Sequence, residues 1–422
     1  MATNLSPRRS LSRYSLLLVP LLTLVGILSG CGASSTVVSS HPTGSTPTST
    51  PTQELKGTIN EFPLPTPNFY PDRLLAGPDG NLWFTEAVSN GCQSGKIGRI
   101  TPAGKVSEFP LSSASKAGGI TTGPDSNLWF TESACAKGQS GKIGRITPSG
   151  TISEFSLSSN SNPGEITTGP DHALWFTEFG NNNRNDKIGR ITTAGTISEF
   201  LLPTPNFYPG GLLAGPDGNL WFIESGNNNN NQHDMIGRIT PTGTISEFPL
   251  PTPQTQPFGI TTSPDGNLWF AAIDYNKIRG VIGRITPSGT VSEFPLLALT
   301  YHSYEITAGP DGNLWFTERD LDGWHDKIGR ITPSGTISEF PVPNLISSVY
   351  GIIAGPDGNL WFIDDPANHS QNSSRIGRIT PTGKMSEFPM PNSRTVPGGI
   401  TSGPDGKIWF MEMNSNKIGR LV

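Results

Sequence analysis

The sequence predicts an all-β fold, an eight-bladed β-propeller of four-stranded antiparallel blades, and three observations carry that expectation. First, near-copies of the segment Gly309-Pro-Asp-Gly-Asn-Leu-Trp-Phe-Thr-Glu318 place tryptophans at Trp83, Trp129, Trp175, Trp221, Trp269, Trp315, Trp361 and Trp409, always 46 or 48 residues apart. A period of that size marks repeated supersecondary units that need their neighbours to bury a face. Second, each period holds four short β-favouring runs in fixed order: Gly-Ile-Thr, Leu-Trp-Phe, Ile-Gly-Arg-Ile and Ile-Ser-Glu-Phe, or close variants. Third, the array begins at 58–63 with a run of the fourth kind and ends at 417–422 with one of the third kind. The two ends should therefore pair in one blade, closing the ring and removing an exposed strand edge.

The turns support the meander. Gly-Pro-Asp-Gly, as at Gly77–Gly80, sets Pro at the second turn position and supplies Gly for positive φ, and Thr-Pro-Ser-Gly at Thr147–Gly150 does the same between the last two runs. In Asn-Leu-Trp-Phe-Thr-Glu the period of two sends Leu82 and Phe84 to one face and Trp83 to the other. A sheet apolar on both faces must be covered on both, which radial stacking achieves. The tryptophan stripe is read as core. Arg99 and Glu108 and their counterparts recur once per blade, which predicts Arg–carboxylate pairs around the ring in a structural role.

Ahead of the array, Arg8, Arg9 and Arg13 precede an apolar run over 16–27 that is short for a membrane span, and Leu28-Ser29-Gly30-Cys31 has the form of a bacterial lipobox. The expectation is a lipoprotein signal peptide over 1–30, lipidation of Cys31, a Ser/Thr/Pro-rich tether over 31–54 and the propeller over 55–422. The protein would be exported and held on the extracytoplasmic side of a membrane by its lipid alone. Losing the three leader arginines takes the formal charge from −5 to −8, which argues against a nucleic-acid partner. Cys92 and Cys135 follow equivalent strands of adjacent repeats and are candidates for a disulfide, with two free thiols the alternative.

These motifs, with Lys-Ile-Gly-Arg-Ile-Thr and Ser-Glu-Phe-Pro-Leu-Pro-Thr-Pro, resemble the virginiamycin B lyase (streptogramin lyase) family along the whole array. The resemblance implies a propeller and, for active members, opening of a cyclic depsipeptide antibiotic at its ester by elimination, with Mg²⁺ and a histidine proton carrier in a Pro-His-Gly-Ile segment. It also implies seven repeats where this chain has eight. At the position of that histidine this sequence carries Asp72, Gly118, Gly164, Gly210, Phe258, Tyr304, Tyr350 and Gly398. Two residues earlier, where a metal-binding Glu is implied, stand Tyr70, Lys116, Asn162, Tyr208, Gln256, His302, Ser348 and Val396. The second metal Glu falls on Met413, with Glu412 one step away and so on the opposite face.

A single site must come from positions where the copies differ. The tight turns barely vary, whereas the opposite end does, so a binding surface is expected there. Asp72, Arg73, Glu165, Phe258, Tyr304, Trp324 and Tyr350 are the candidate ligand contacts, and His302, Glu305 and His325 the candidate catalytic groups. The expected partner is a small molecule, a peptide or a cell-envelope component bound by a monomer, with Mg²⁺ as cofactor only if the chain is a lyase. No Cys/His spacing suggests zinc and no acidic loop has the EF-hand pattern.

Overall fold

A computed structural model describes residues 57–422 except 88–92, 113, 137, 159–160, 181–185, 227–232, 300, 322–324, 345–346 and 367–372. Cys31, Cys92, Trp324, the leader and the tether lie outside the described residues. Thirty-two strands form eight four-stranded antiparallel sheets arranged as an eight-bladed β-propeller. In blade 1 the order is β2 (Tyr70–Ala76), β3 (Leu82–Ala87), β4 (Lys96–Ile100) and β5 (Val106–Pro110). Blades 2 to 7 repeat this from β6 (Ser115–Thr122) to β29 (Met385–Pro389). Consecutive first strands contact one another around the ring, and β30 (Pro397–Ser402) returns to β2.

The ring closes as expected. In blade 8, β30 and β31 (Ile408–Glu412) are followed by β32 (Lys417–Leu421), and the outermost strand is β1 (Ile59–Pro63) from the start of the array. Ile59 pairs with Leu421 and Pro63 with Lys417, and the ladder extends to a bond from the Thr58 N–H to the Val422 carbonyl at 3.2 Å.

The Leu-Trp-Phe strand is buried on both faces in every blade. Trp83 packs into the cluster of Leu128, Phe130 and Ile146 on blade 2, while Leu82 and Phe84 pack on Trp409, Met411 and Ile418 of blade 8. The alternation read from the sequence is thus the device that joins neighbours. Each indole N–H also finds a partner: Trp83 Nε1 donates to Asp79 Oδ1 at 3.0 Å, and the same contact recurs in all eight blades. Burial alone would raise Asp79, but the bonds from Asn81 and Trp83 outweigh it and hold its carboxyl below the usual range. The Asp of the turn therefore has a second duty, satisfying a buried indole. The glycine of Ile-Gly-Arg is steric. A Cβ on Gly98 would sit 2.1 Å from the Phe84 ring.

The repeated arginines and glutamates do not pair with each other. Arg99 lies over the stacked rings of Trp83 and Phe109, 5.4 and 5.6 Å from their centroids, and donates to the Pro148 carbonyl in the next blade at 2.6 Å. Where a repeated arginine meets a carboxylate it is the turn Asp, as in Arg190 Nε to Asp171 Oδ2 at 2.7 Å. The glutamates take lysine instead: Lys96–Glu108, Lys142–Glu154, Lys187–Glu199, Lys327–Glu339 and Lys417–Glu61, at 2.6 or 2.7 Å. The correction follows from strand geometry. Arg99 pairs across the strands with Ser107, which puts its side chain on the face opposite Glu108.

Candidate functional site

The first strand of every blade carries a β-bulge, and the candidate residues lie at or beside it. The register shifts between Pro71 and Arg73, Ala117 and Ile120, Pro163 and Ile166, Gly210 and Leu213, Pro257 and Gly259, Ser303 and Ile306, Tyr350 and Ile353, and Pro397 and Ile400. A bulge releases one or two residues from the ladder and re-aims their side chains. Eight bulges on eight contacting first strands therefore make a ring of re-aimed positions about the axis.

That ring is lopsided. At equivalent positions blades 5, 6 and 7 present Phe258, Tyr304 and Tyr350, while blades 2, 3, 4 and 8 present Gly118, Gly164, Gly210 and Gly398. Blade 1, opposite blade 5, presents Asp72 with Arg73 beside it, both half-buried. Burial raises the Asp72 carboxyl above its ordinary range against the pull of Arg73. Phe258 and Tyr304 meet with centroids 5.1 Å apart at a 60° tilt, and the Tyr350 hydroxyl donates to the Pro397 carbonyl at 2.8 Å. Burial first, and Asp365 next, push that hydroxyl well above the usual tyrosine value.

His302 stands behind this aromatic arc. It is buried in β22 (Tyr301–Ala308), its Nδ1 is 3.4 Å from the Tyr304 hydroxyl, and its ring meets Tyr275 and Tyr304 edge-on at 6.3 and 6.1 Å. Burial, then the charge of Arg319, lower its pKa, so the imidazole is neutral at pH 7. Its Nε2 has no partner among the described residues. Arg319, the cross-strand partner of His302, lies 5.8 Å from the Tyr304 ring centroid. Burial raises the Tyr275 hydroxyl to about 12, with Tyr304 and Asp234 adding to it.

The three candidate catalytic groups have three separate settings. Glu305 Oε2 accepts the Ile352 N–H of the next blade at 3.1 Å, beside Gly351 at φ +65°. Glu165 does the same to Leu212 at 3.1 Å, beside Gly211 at φ +60°. Both glutamates stitch neighbouring bulges together, and only a glycine accepts that backbone without strain. His325 is exposed at φ +68°, and its carbonyl accepts from the Tyr301 hydroxyl at 3.1 Å. Cys135 is half-buried in the segment after β7 (Leu128–Ala134).

Sequence reasoning missed Tyr275 and Arg319, which lie outside the repeat signature in loop-end positions. It also missed a ring of buried carboxylates on the second strands: Glu86, Glu132, Glu178, Glu224, Glu318, Asp364 and Glu412, all fully buried. Burial raises Glu86 and Glu318 to about 8 and Glu224 to about 9. The signal was the Glu of Leu-Trp-Phe-Thr-Glu itself, set across the strands from the Lys of Lys-Ile-Gly-Arg.

An eightfold scaffold of four-stranded blades with an asymmetric ring of bulges defines an eight-bladed β-propeller. The chain belongs to the virginiamycin B lyase family, whose model matches residues 49–184, 93–368 and 368–422. A streptogramin B lyase structure is similar at 29% identity and TM-score 0.56, covering 87% of this chain and 97% of that one. The catalytically inactive virginiamycin B lyase from Staphylococcus aureus with quinupristin is similar at 33% identity and TM-score 0.55, covering 87% and 99%. A Kuenenia stuttgartiensis hydrazine synthase, at 13% identity and TM-score 0.50, shares the fold alone. No curated protein matches the chain.

Proposed function

We propose that this chain is an exported, lipid-anchored propeller that binds a small-molecule or peptide ligand against the arc of Phe258, Tyr304 and Tyr350. The observation that carries the reading is the asymmetry of the bulge ring. A purely structural role would repeat eight times, whereas large aromatics fill three adjacent positions and face glycines and the Asp72–Arg73 pair. An apolar wall with a few convergent polar groups is the usual composition of a ligand site.

The second reading is a carbon–oxygen lyase acting on cyclic depsipeptides, favoured by family membership and by the neutral, buried His302. A proton carrier of that kind has Nδ1 on Tyr304 and Nε2 left to take a proton. The donors for Mg²⁺ do not fit. Among the described residues no three His, Cys, Asp or Glu side chains gather to hold an ion, and Glu165 and Glu305 spend an oxygen each on backbone N–H groups. Binding is therefore the preferred function.

Ligand-observed NMR of residues 32–422 with a set of aromatic cyclic and linear peptides, quinupristin among them, tests the binding reading. Binding that disappears in Phe258→Ala with Tyr304→Ala supports the arc. Ligands that bind equally to that variant place the site elsewhere.

A further inference from the structure

The residue two before the Ile of each Ile-Gly-Arg run points at the next blade. A Cβ on Gly95 would lie 2.9 Å from the Ala117 nitrogen, one on Gly141 2.3 Å from Cδ of Pro163, and one on Gly280 3.1 Å from the Ser303 nitrogen. In blade 6 that residue is Asp326, and the contact becomes a hydrogen bond: the Val349 N–H donates to Asp326 Oδ2 at 2.8 Å. Ala117, Pro163, Ser303 and Val349 are equivalent, each standing just before the position that carries Phe258, Tyr304 or Tyr350 in the aromatic arc.

Asp186, Asp234 and Asn416 hold the same position as Asp326, and the next blade meets them with Pro209, Pro257 and Pro71. Proline has no N–H to give. Asp186 and Asp234 each spend Oδ1 on a backbone N–H of their own blade, from Gly180 at 2.8 Å and Gly226 at 2.9 Å. Oδ2 of both, and Oδ1 of Asn416, are buried with no hydrogen-bond partner among the described residues. The acceptor is thus satisfied where valine follows and orphaned where proline follows. For the two aspartates the consequence is larger, since ionisation leaves a buried charge with an unpaired oxygen.

Of the two, Asp234 adjoins the arc. Pro257 is the chain neighbour of Phe258, whereas Pro209 leads to Gly210, where the ring has no side chain. We propose that Asp234 is a positioning residue of the aromatic arc: its neutral carboxyl lets Pro257 and Phe258 close on blade 4, and its ionisation loosens that seam and weakens binding there. The inference rests on the arc being the ligand site. Burial raises the Asp234 carboxyl to about 6 against the pull of the Gly226 N–H, which sets the change near that pH. The surrounding groups stay neutral or turn elsewhere. Tyr275 of blade 5 is raised to about 12, in part by Asp234, and Glu224, on the strand that ends in Gly226, to about 9. His233, its chain neighbour, turns Nδ1 to the Leu250 carbonyl, and β18 (Thr255–Thr262), which carries Pro257, has no titratable side chain. A ligand covering Phe258 keeps water from the seam and so favours the protonated carboxyl. Binding is therefore tightest below pH 6 and weakens as pH rises through it.

The test places 4-fluorophenylalanine at position 258 and follows its ¹⁹F resonance from about pH 4.5 to 8, with quinupristin affinity measured over the same range. The resonance is expected to titrate near pH 6, and the affinity to be at least about threefold weaker at pH 8 than at pH 5. Asp234→Asn, which keeps an oxygen for the Gly226 N–H, should abolish both changes. Pro257→Ala, which supplies the N–H that Val349 gives Asp326, should move the midpoint down, and Asp186→Asn should leave both changes in place. A titration that survives Asp234→Asn, or is lost equally in Asp186→Asn, overturns the proposal. An affinity with the same pH dependence in wild type and Asp234→Asn also overturns it. Should Asp234→Asn fail to fold, an unmoved midpoint in Pro257→Ala overturns it alone. Quinupristin binding that is absent, or indifferent to Phe258→Ala with Tyr304→Ala, sinks the arc as the ligand site instead, and the fluorine titration then decides whether Asp234 seats that ring.

Discussion

Glu224 on the second strand of blade 4 faces Met235 across the ladder, where five other blades place lysine. In those blades the ammonium lies beside the strand-four glutamate, as in Lys187, which bridges Glu178 at 3.0 Å and Glu199 at 2.6 Å. Methionine matches the lysine stem but lacks its charge. Burial, and then Glu247, raise Glu224 to about 9, so this carboxyl is protonated at neutral pH. Met235→Lys supplies the missing ammonium and is expected to stabilise the protein by about 1–3 kcal/mol above pH 8. Blade 5 shows the other solution. Ala272 and Val281 replace both members, and Ala272→Glu alone should cost about 3–5 kcal/mol, with Val281→Lys restoring much of it. Thermal melting of the singles and the double checks both, and additive effects would contradict the pairing.

Stability should fall between mildly acidic and alkaline pH. Glu86, Glu318 and Glu224 have folded pKa values of about 8, 8 and 9, above the 4.5 of an ordinary Glu. The folded state therefore holds more protons than the unfolded one across that window, and their contribution is full below pH 4.5 and lost as pH rises through 8 to 9. Asp79, Asp125 and Glu108 act oppositely. Burial opposes them, but hydrogen bonds and Lys96 lower their pKa values, so their contribution is lost only as pH falls below the ordinary carboxylate range. Melting temperature should peak near pH 5 and decline by pH 9. A profile rising toward pH 9 would refute the assignment of the buried carboxyls.

Removing residues 57–63 should open the ring. Without β1 the ladder from Ile59–Leu421 to Pro63–Lys417 is lost, together with the Lys417–Glu61 ion pair and the stacking of Phe62 on Trp409 at 5.5 Å. The expected outcome is aggregation or loss of cooperative unfolding, because β32 becomes an exposed edge. Cooperative melting at an unchanged temperature would show that closure contributes nothing.

The lipobox predicts a diacyl- or triacyl-Cys31 at the mature N-terminus. Mass spectrometry of the membrane-extracted protein checks this. A chain beginning at Met1, or an unmodified start, contradicts it.

The fold was legible because its signals are local and repeated. Pro-Asp-Gly turns, the Leu-Trp-Phe alternation and the complementary ends fix the strands, the faces and the closure. The site was legible only in part. The bulge ring appears in the sequence merely as the residues before Gly-Ile-Thr, so Phe258, Tyr304 and Tyr350 could be named but not their arc. Glu165 read as a ligand contact and Glu305 as a catalytic acid because their partners, the backbone N–H groups of Leu212 and Ile352, belong to the next blade. A contact across one period leaves no local trace. Tyr275 was hidden in the same way, since it reaches His302 from a turn of the preceding blade, whereas Arg319 is the cross-strand partner of His302 in the same blade and was missed because it lies outside the repeated signature.

We propose that this propeller binds at its aromatic arc and does not open cyclic depsipeptides. Incubating residues 32–422 with quinupristin and Mg²⁺ tests it most directly, with ring opening followed by chromatography and fragment-ion mass spectrometry because elimination leaves the mass unchanged. Loss of a general base alone commonly removes about 10² to 10⁴ in rate. The account predicts a ring that stays closed beyond the protein-free control. Rapid Mg²⁺-dependent opening, abolished by His302→Ala or Asp72→Asn, would contradict it and establish a relocated active site.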